Sequence, residues 1–273
     1  MEVAAVIGAW AISWFCPALP VSHSTIMNTI CGRGDITSIL QPKLSQNARI
    51  ILLDDTAFTD SISRWSKFGA PGVSAVVQVV TENDVAETIK YANTHGIPFF
   101  AKSGGHGSIT SLGQIRDGIE IWMDQLDSVT VSPDGNTATF GGGVLSKKVS
   151  HTLWEVGKQT VVGGCECTSL VGPGLGGGHG FLQGKYGLIS DQFVSMRLAI
   201  ADGHIETVSA TSHPDLWWAM QGAGHNFGIV TEVTSKIYDI EDDGVWSYES
   251  YIFTHDKVEA IFDRINTLFT NST

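Results

Sequence analysis

Residues 76–107 read VVQVVTENDVAETIKYANTHGIPFFAKSGGHG, and the architecture turns on this stretch. It opens on the end of an apolar, valine-rich run, SAVVQVV (residues 74–80), which has strand character. Thr81 and Asp84 then stand at near capping-box spacing, Val85, Ile89 and Ala92 share one helical face, and Gly96 provides the stop. IPFFAK (97–102) reads as the next strand. The pattern predicts a strand–helix–strand unit, hence a mixed α and β architecture. The second strand runs directly into SGGHG (103–107), where glycines bracket His106. Glycine lets a backbone come close to its neighbour. An imidazole placed there either meets a ligand or sits in a hydrogen-bonded surface turn.

Working outward, ARIILL (48–53) and IEIW (119–122) also read as strands. SVTVS and NTATFG flank Pro133-Asp134-Gly135, and FVSMRLAIA and HIETVSA flank Asp202-Gly203; each set predicts a hairpin. LSKKVSHTLWEVG (145–157) places Leu145, Val149 and Leu153 on one helical face before Gly157. SHPDLWWAMQG begins a helix with Ser212 as the expected N-cap and Pro214 in the first turn. Trp217 and Trp218 are expected to pack in the core and on the helix. FGIVTEVTSKIYDI (227–240) reads as a strand. Composition changes at IEDDG (240–244), after which VWSYESYIF suggests a strand and KVEAIFDRINTLF a helix, the opening of another domain.

The chain has 273 residues, 42% of them hydrophobic and 16% charged, enough for a sizeable core in one large domain or two ordinary ones. Net charge is −12 with a pI of about 5.0. No basic run suits nucleic acid or an anionic membrane surface, so neither is an expected partner. Anions can still be held by backbone N–H groups, which do not depend on net charge. The four cysteines (Cys16, Cys31, Cys165 and Cys167) are too few for a disulfide scaffold, although Cys16 and Cys31 could pair in a secreted protein. Residues 1–44 form an N-terminal segment, apolar through Pro20. Glu2 stands where a signal peptide would carry basic residues, so secretion and compartment stay open. Asn271-Ser272-Thr273 matches a glycosylation acceptor.

The 31 glycines cluster, most densely in GGCECTSLVGPGLGGGHG (163–180). Gly172, Gly174 and Gly177 satisfy G-x-G-x-x-G, but Pro173 lies inside and no helix-forming segment follows, against a Rossmann fingerprint. Gly184-Lys185 lacks the serine or threonine of a P-loop, with Tyr186 in that place. Cys165, Cys167 and His179 match no common zinc spacing, and no metal site is expected. One reading unites the two glycine segments: their backbones form anion-binding nests that clamp the two phosphates of a dinucleotide.

Four blocks occur in one order: residues 76–107, ATFGGGV (138–144), residues 163–192 and DLWWAMQGAGHNFGIVTEV (215–233). Together they resemble the flavin-binding domain of the berberine bridge enzyme-like oxidases. These are relatives of vanillyl-alcohol oxidase and p-cresol methylhydroxylase, and CEC with LGGGHG is most like fungal members. The resemblance covers about residues 45–238.

It implies an α+β, two-lobed, vanillyl-alcohol-oxidase-type domain binding FAD over 45–240, with lobes of about 45–110 and 111–238. Residues 241–273 would open an incomplete substrate domain. It implies that His106 bonds the 8α-methyl carbon of FAD. It implies that Cys165, in Gly163-Gly164-Cys165 and eleven positions before Gly176, bonds flavin C6. Cys167 is its rival, because Thr168-Ser169 replace the usual Val-Gly.

The resemblance further assigns cofactor contacts to Lys102, Ser103, Gly104, Gly105 and Gly107. It adds Thr168, Gly172, Gly174, Gly176 and Gly177, and it sets Gly228, Ile229 and Val230 near a ring edge. Lys102 either faces phosphate or is solvated, while His179, His204 and His225 are expected to be structural or exposed. The implied activity is oxidation of an alcohol, sugar or secondary metabolite with O2 as acceptor. The alternative is a flavin-binding remnant without catalysis. No general base is assigned, and oligomeric state is not legible.

Overall fold

The computed structural model describes residues 35–270 apart from residue 248. The apolar N-terminal run, the Cys16 and Cys31 question and the Asn271 acceptor lie outside the described residues. The first lobe comprises β1 (Arg49–Leu52), β2 (Val73–Gln78), α1 (Glu82–Thr94), β3 (Phe99–Lys102) and β4 (Gly118–Trp122). Its sheet runs β1-β2-β4-β3. β1 is antiparallel to β2, whereas β4 is parallel to both β2 and β3. The lobe boundary expected near residue 110 therefore moves: β4, residues 118–122, completes the first sheet by filling the gap between β2 and β3.

Helix α1 follows its sequence closely. Thr81 Oγ1 accepts from the Asp84 N–H at 3.2 Å, and Asp84 accepts from the Thr81 N–H at 2.9 Å. Such a box contributes about 1 kcal/mol. Fully buried Asp84 also accepts from the N–H and hydroxyl of Ser45 at 2.6 and 2.7 Å and from the Val80 N–H at 3.0 Å. Burial pushes its carboxyl pKa up, but the donors from Ser45, Val80 and Thr81 outweigh burial and hold it below the ordinary value. Val85, Ile89 and Ala92 bury their shared face against Val77, Val79, Ile119 and Ile121. Each large aliphatic side chain buried this way contributes roughly 1.5–3 kcal/mol.

The second lobe comprises β5 (Val129–Val131), β6 (Thr137–Gly141), α2 (Ser146–Glu155), β7 (Lys158–Gln159) and α3 (Val171–Gly174). It continues through β8 (Phe193–Ala199), β9 (Ile205–Ser209), α4 (Pro214–Met220), β10 (Ile229–Lys236) and β11 (Tyr238–Asp239). Its antiparallel sheet runs β5-β6-β10-β8-β9, so β10 joins the two expected hairpins. Phe140, Val149, Leu153, Met196, Leu198 and Val233 lie in its core.

Two local expectations change. The N-cap of α4 is His213, at φ 55°, because the Ser212 hydroxyl donates instead to the Thr207 carbonyl at 3.0 Å. Trp217 is buried, but Trp218 is 80% exposed and packs into no core.

The chain divides between Asp239 and Ile240 into two compact units. In the second, α5 (Val258–Thr270) forms as its sequence predicts. The strand expected over 245–253 does not form among the described residues. A strand exists only with a paired neighbour, and the second unit has no other strand among the described residues. No helix of the described residues is long and apolar enough to cross a membrane.

Candidate cofactor-binding site

A cleft of about 670 Å³ lies in the first unit, at the carboxyl end of β3. That is where open sheets with parallel strands hold ligands. Its walls come from both lobes: the loop after β3, Thr168–Pro173, Ala199–Ala201 and His225–Val230. The expected residues Lys102, Ser103, Gly104, Gly105, His106 and Gly107 line it together. Thr168, Gly172, Gly228, Ile229 and Val230 line it as well.

Gly174, Gly176 and Gly177 lie apart from the cleft lining. Gly174 has a packing reason instead, since a Cβ there would collide with the Phe193 ring. Cys165 also lies outside the lining, although Thr168, whose hydroxyl donates to its carbonyl at 2.5 Å, lies within it.

The two loops meet at Gly104. A Cβ on Gly104 would sit 2.6 Å from the Cys167 carbonyl oxygen, so only glycine allows this approach. Gly105 has φ +68°, a conformation glycine adopts without strain. Gly172 is tied by its N–H to Ser169 Oγ at 3.0 Å, and the Thr168 carbonyl accepts from Ser146 N–H at 2.8 Å. Cys165 and Cys167 are joined as a disulfide. A nitrogen of the His106 ring and the two sulfurs lie within 4.8 Å of one another. Attachment through a Cys165 thiolate is therefore not available in this state, because its sulfur is bonded to Cys167. His179, set beside these cysteines by sequence, hydrogen-bonds Gln183 at 2.8 Å instead.

The histidine loop rests on a buried charge cluster that no local pattern announced. Lys102 Nζ lies 2.8 Å from Glu120 Oε1 and donates to the Ser61 carbonyl, with its side chain 5% exposed. The lysine is thus neither solvated nor aimed at a phosphate. Arg64 Nη1 lies 3.9 Å from Glu120 Oε2, while its Nη2 donates to the Gly107 carbonyl at 2.9 Å. Burial pushes the Glu120 carboxyl up, and Lys102 and Arg64 offset part of that rise. Trp65 donates its N–H to the Gly105 carbonyl at 3.2 Å and stacks on the His106 ring at 5.7 Å. His225, expected to be structural or exposed, lines the cleft; its burial holds the imidazole pKa below the ordinary value, against a smaller upward pull from the Gly172 backbone.

Comparisons with known proteins agree with this geometry. The sequence family described as FAD binding domain matches residues 73–209. An FAD-linked oxidoreductase of Penicillium rubens is 44% identical over 274 residues, covering 100% of this chain and 53% of that protein. Another, of Pyricularia oryzae, is 46% identical over 234 residues, 85% of this chain and 45% of that protein. The chain thus spans about half the length of the curated relatives it matches.

Among solved structures, 6-hydroxy-D-nicotine oxidase from Arthrobacter nicotinovorans is similar at 32% identity. It has a TM-score of 0.67 and covers 71% of this chain and 43% of that one. A berberine bridge enzyme-like protein from Physcomitrella patens has a TM-score of 0.70 at 26% identity, over 76% and 45% of the two chains. Xylooligosaccharide oxidase from Myceliophthora thermophila, solved with xylobiose, has a TM-score of 0.69 at 27% identity, over 75% and 43%.

Fold and cleft together define a flavoprotein of the vanillyl-alcohol-oxidase type, with FAD as its cofactor. The chain belongs to the FAD binding domain family.

Proposed function

We propose that this chain is the FAD-binding part of an oxidase in which FAD is covalently held by His106. Hydride would pass from an alcohol, sugar or secondary metabolite to the flavin, with O2 as acceptor and hydrogen peroxide as product. The observation that carries this reading is the convergence at Gly104, where the His106 loop and the Cys165–Thr168 loop meet at the mouth of one cleft. Glycine at 104 lets the two loop backbones touch, so that residues of both line one cleft.

Bound FAD supplies the two-electron chemistry. The chain supplies position. Backbone N–H groups of 103–107 would hold phosphate or ribityl oxygens, which suits a chain whose net charge is −12. Gly228, Ile229 and Val230 also line the cleft. His106, with Trp65 stacked on its ring face, would be the residue that holds the 8α-methyl position. A free Cys165 thiolate would reach C6 of the same ring edge. The sugar and alkaloid oxidases among the relatives support a small organic substrate carrying an oxidisable C–H.

The test is intact mass and visible absorbance after denaturation of the purified chain incubated with FAD. The expected result is yellow protein carrying the added mass of FAD. His106→Ala purified in air should release its flavin on denaturation. A colourless wild-type chain at the bare polypeptide mass overturns the reading.

A further inference from the structure

We propose that Cys165 and Cys167 form a dithiol–disulfide site beside His106, whose chemical state decides whether FAD receives one covalent bond or two. This rests on the covalent flavin reading above. The two sulfurs are bonded to one another, and both lie within 4.8 Å of a His106 ring nitrogen. The sulfur that would bond the flavin is thus the sulfur that closes the disulfide. One atom cannot serve both bonds.

The surroundings suit exchange with a small thiol. Cys165, Glu166 and Cys167 are exposed, so a reductant reaches them from solvent. The turn is held independently of the sulfurs, by Thr168 N–H and hydroxyl donating to the Cys165 carbonyl and by Ser146 N–H donating to the Thr168 carbonyl. Opening the disulfide therefore leaves the loop in place against Gly104. The Cys167 N–H points at the Cys165 sulfur at 3.4 Å, an arrangement that stabilises a thiolate there. Cys167 is then the resolving residue and Cys165 the attaching one.

A dithiol gives two electrons and two protons to the Cys165–Cys167 bond, becoming a disulfide itself and leaving two thiols. The Cys165 thiolate then forms a C–S bond to flavin C6, the C6 proton leaves, and the flavin retains two electrons. Dioxygen takes those electrons and becomes hydrogen peroxide. Without the dithiol step the chain keeps its disulfide, and FAD is held through His106 alone.

The experiment uses the full chain as wild type, His106→Ala, and His106→Ala with Cys167→Ser. Each is treated with dithiothreitol or with the mild oxidant diamide, desalted, incubated with FAD in air, and denatured. Covalent flavin is read by absorbance and intact mass, and thiols by iodoacetamide labelling before FAD is added. His106→Ala is expected to carry at least tenfold more covalent flavin after dithiothreitol than after diamide. The double variant has no partner for Cys165 and is expected to carry it under both conditions. Peptide maps of the wild type should show residues 165–167 joined to the flavin only in the reduced sample, a readout that does not depend on the variants folding.

Equal attachment by His106→Ala in both states, attachment in neither while the wild type is loaded, or Cys165 and Cys167 both found labelled by peptide mapping after diamide would overturn the proposal. A wild type that takes up no FAD in either state overturns the covalent reading itself, and so is distinguishable.

Discussion

The two loops that meet at Gly104 differ in how they are held: one on buried charged side chains, the other on backbone hydrogen bonds and a disulfide at the surface. Ser103–Gly107 is anchored from behind by residues distant in sequence: Arg64 on the Gly107 carbonyl, Trp65 on Gly105 and His106, and Lys102 locked to buried Glu120. Cys165–Thr168 is held by the Cys165–Cys167 bond, by hydrogen bonds within the turn and by two backbone donors at the start of α2, Ser146 N–H to the Thr168 carbonyl and Lys147 N–H to the Glu166 carbonyl, and its ion pair, Lys147 with Glu166 at 3.4 Å, is exposed on both sides. A buried, long-range brace fixes an imidazole in one place. A local, solvent-reachable turn lets a sulfur change its bonding without disturbing the fold. The contrast suits a site in which one attachment is built in and the other is conditional.

The comparison breaks most severely at the buried end. Glu120→Ala leaves Lys102 and Arg64 buried beside each other without their anion, and should cost about 3–5 kcal/mol. Urea unfolding measures it, and FAD uptake should fall with it because the histidine loop loses its support. A change within 1 kcal/mol would show that the brace is replaceable.

A smaller effect is expected one step further back, at the carboxylate that caps α1 and so positions β3. Asp84→Asn should cost about 1–3 kcal/mol, because four donors lose a charged acceptor. The pH dependence has a definite sign. A carboxyl held below its ordinary value in the folded protein stabilises the fold above the unfolded pKa, and that stability is lost as pH falls through the folded pKa. Wild-type stability should therefore drop below about pH 4, while Asp84→Asn flattens that limb of the curve. Thermal unfolding from pH 3 to 7 reads both.

The smallest effect belongs to the other loop. Glu166→Ala removes an exposed ion pair and should change stability by no more than about 1 kcal/mol. FAD uptake through His106 should be unaltered. A larger loss by the same unfolding assay would mean that this exposed pair, and not the backbone bonds and the disulfide, carries the loop.

Much of this was legible from residue pattern. The helix from Glu82 to Thr94 formed where Thr81, Asp84 and the Val85, Ile89, Ala92 face placed it. Both hairpins closed over Asp134-Gly135 and Asp202-Gly203. Such signals are local: a cap, a period, a turn dipeptide. What was not legible depends on pairing across the chain. Arg64 and Glu120 carry no periodic or motif signal, and their meeting with Lys102 depends on β4 entering between β2 and β3. Nor did spacing alone show that Cys165 and Cys167 bond each other beside His106, which is distant in sequence. The missing strand over 245–253 has the same cause: its composition favours extension, but extension needs a partner.

Each sheet is completed by the strand that comes last in its own stretch of sequence. β4 separates β2 from β3, and β10 separates the β5–β6 hairpin from the β8–β9 hairpin. During synthesis, then, β3 emerges with no neighbour to pair with, and His106 hangs from it unplaced until residues 118–122 arrive. The far wall waits longer, because Gly228 to Val230 begin the strand that joins the second sheet. The cofactor's seat is therefore assembled by two late insertions rather than grown from one end, and a nascent chain that stops short of residue 229 lacks both the strand that joins the second sheet and part of the cleft lining.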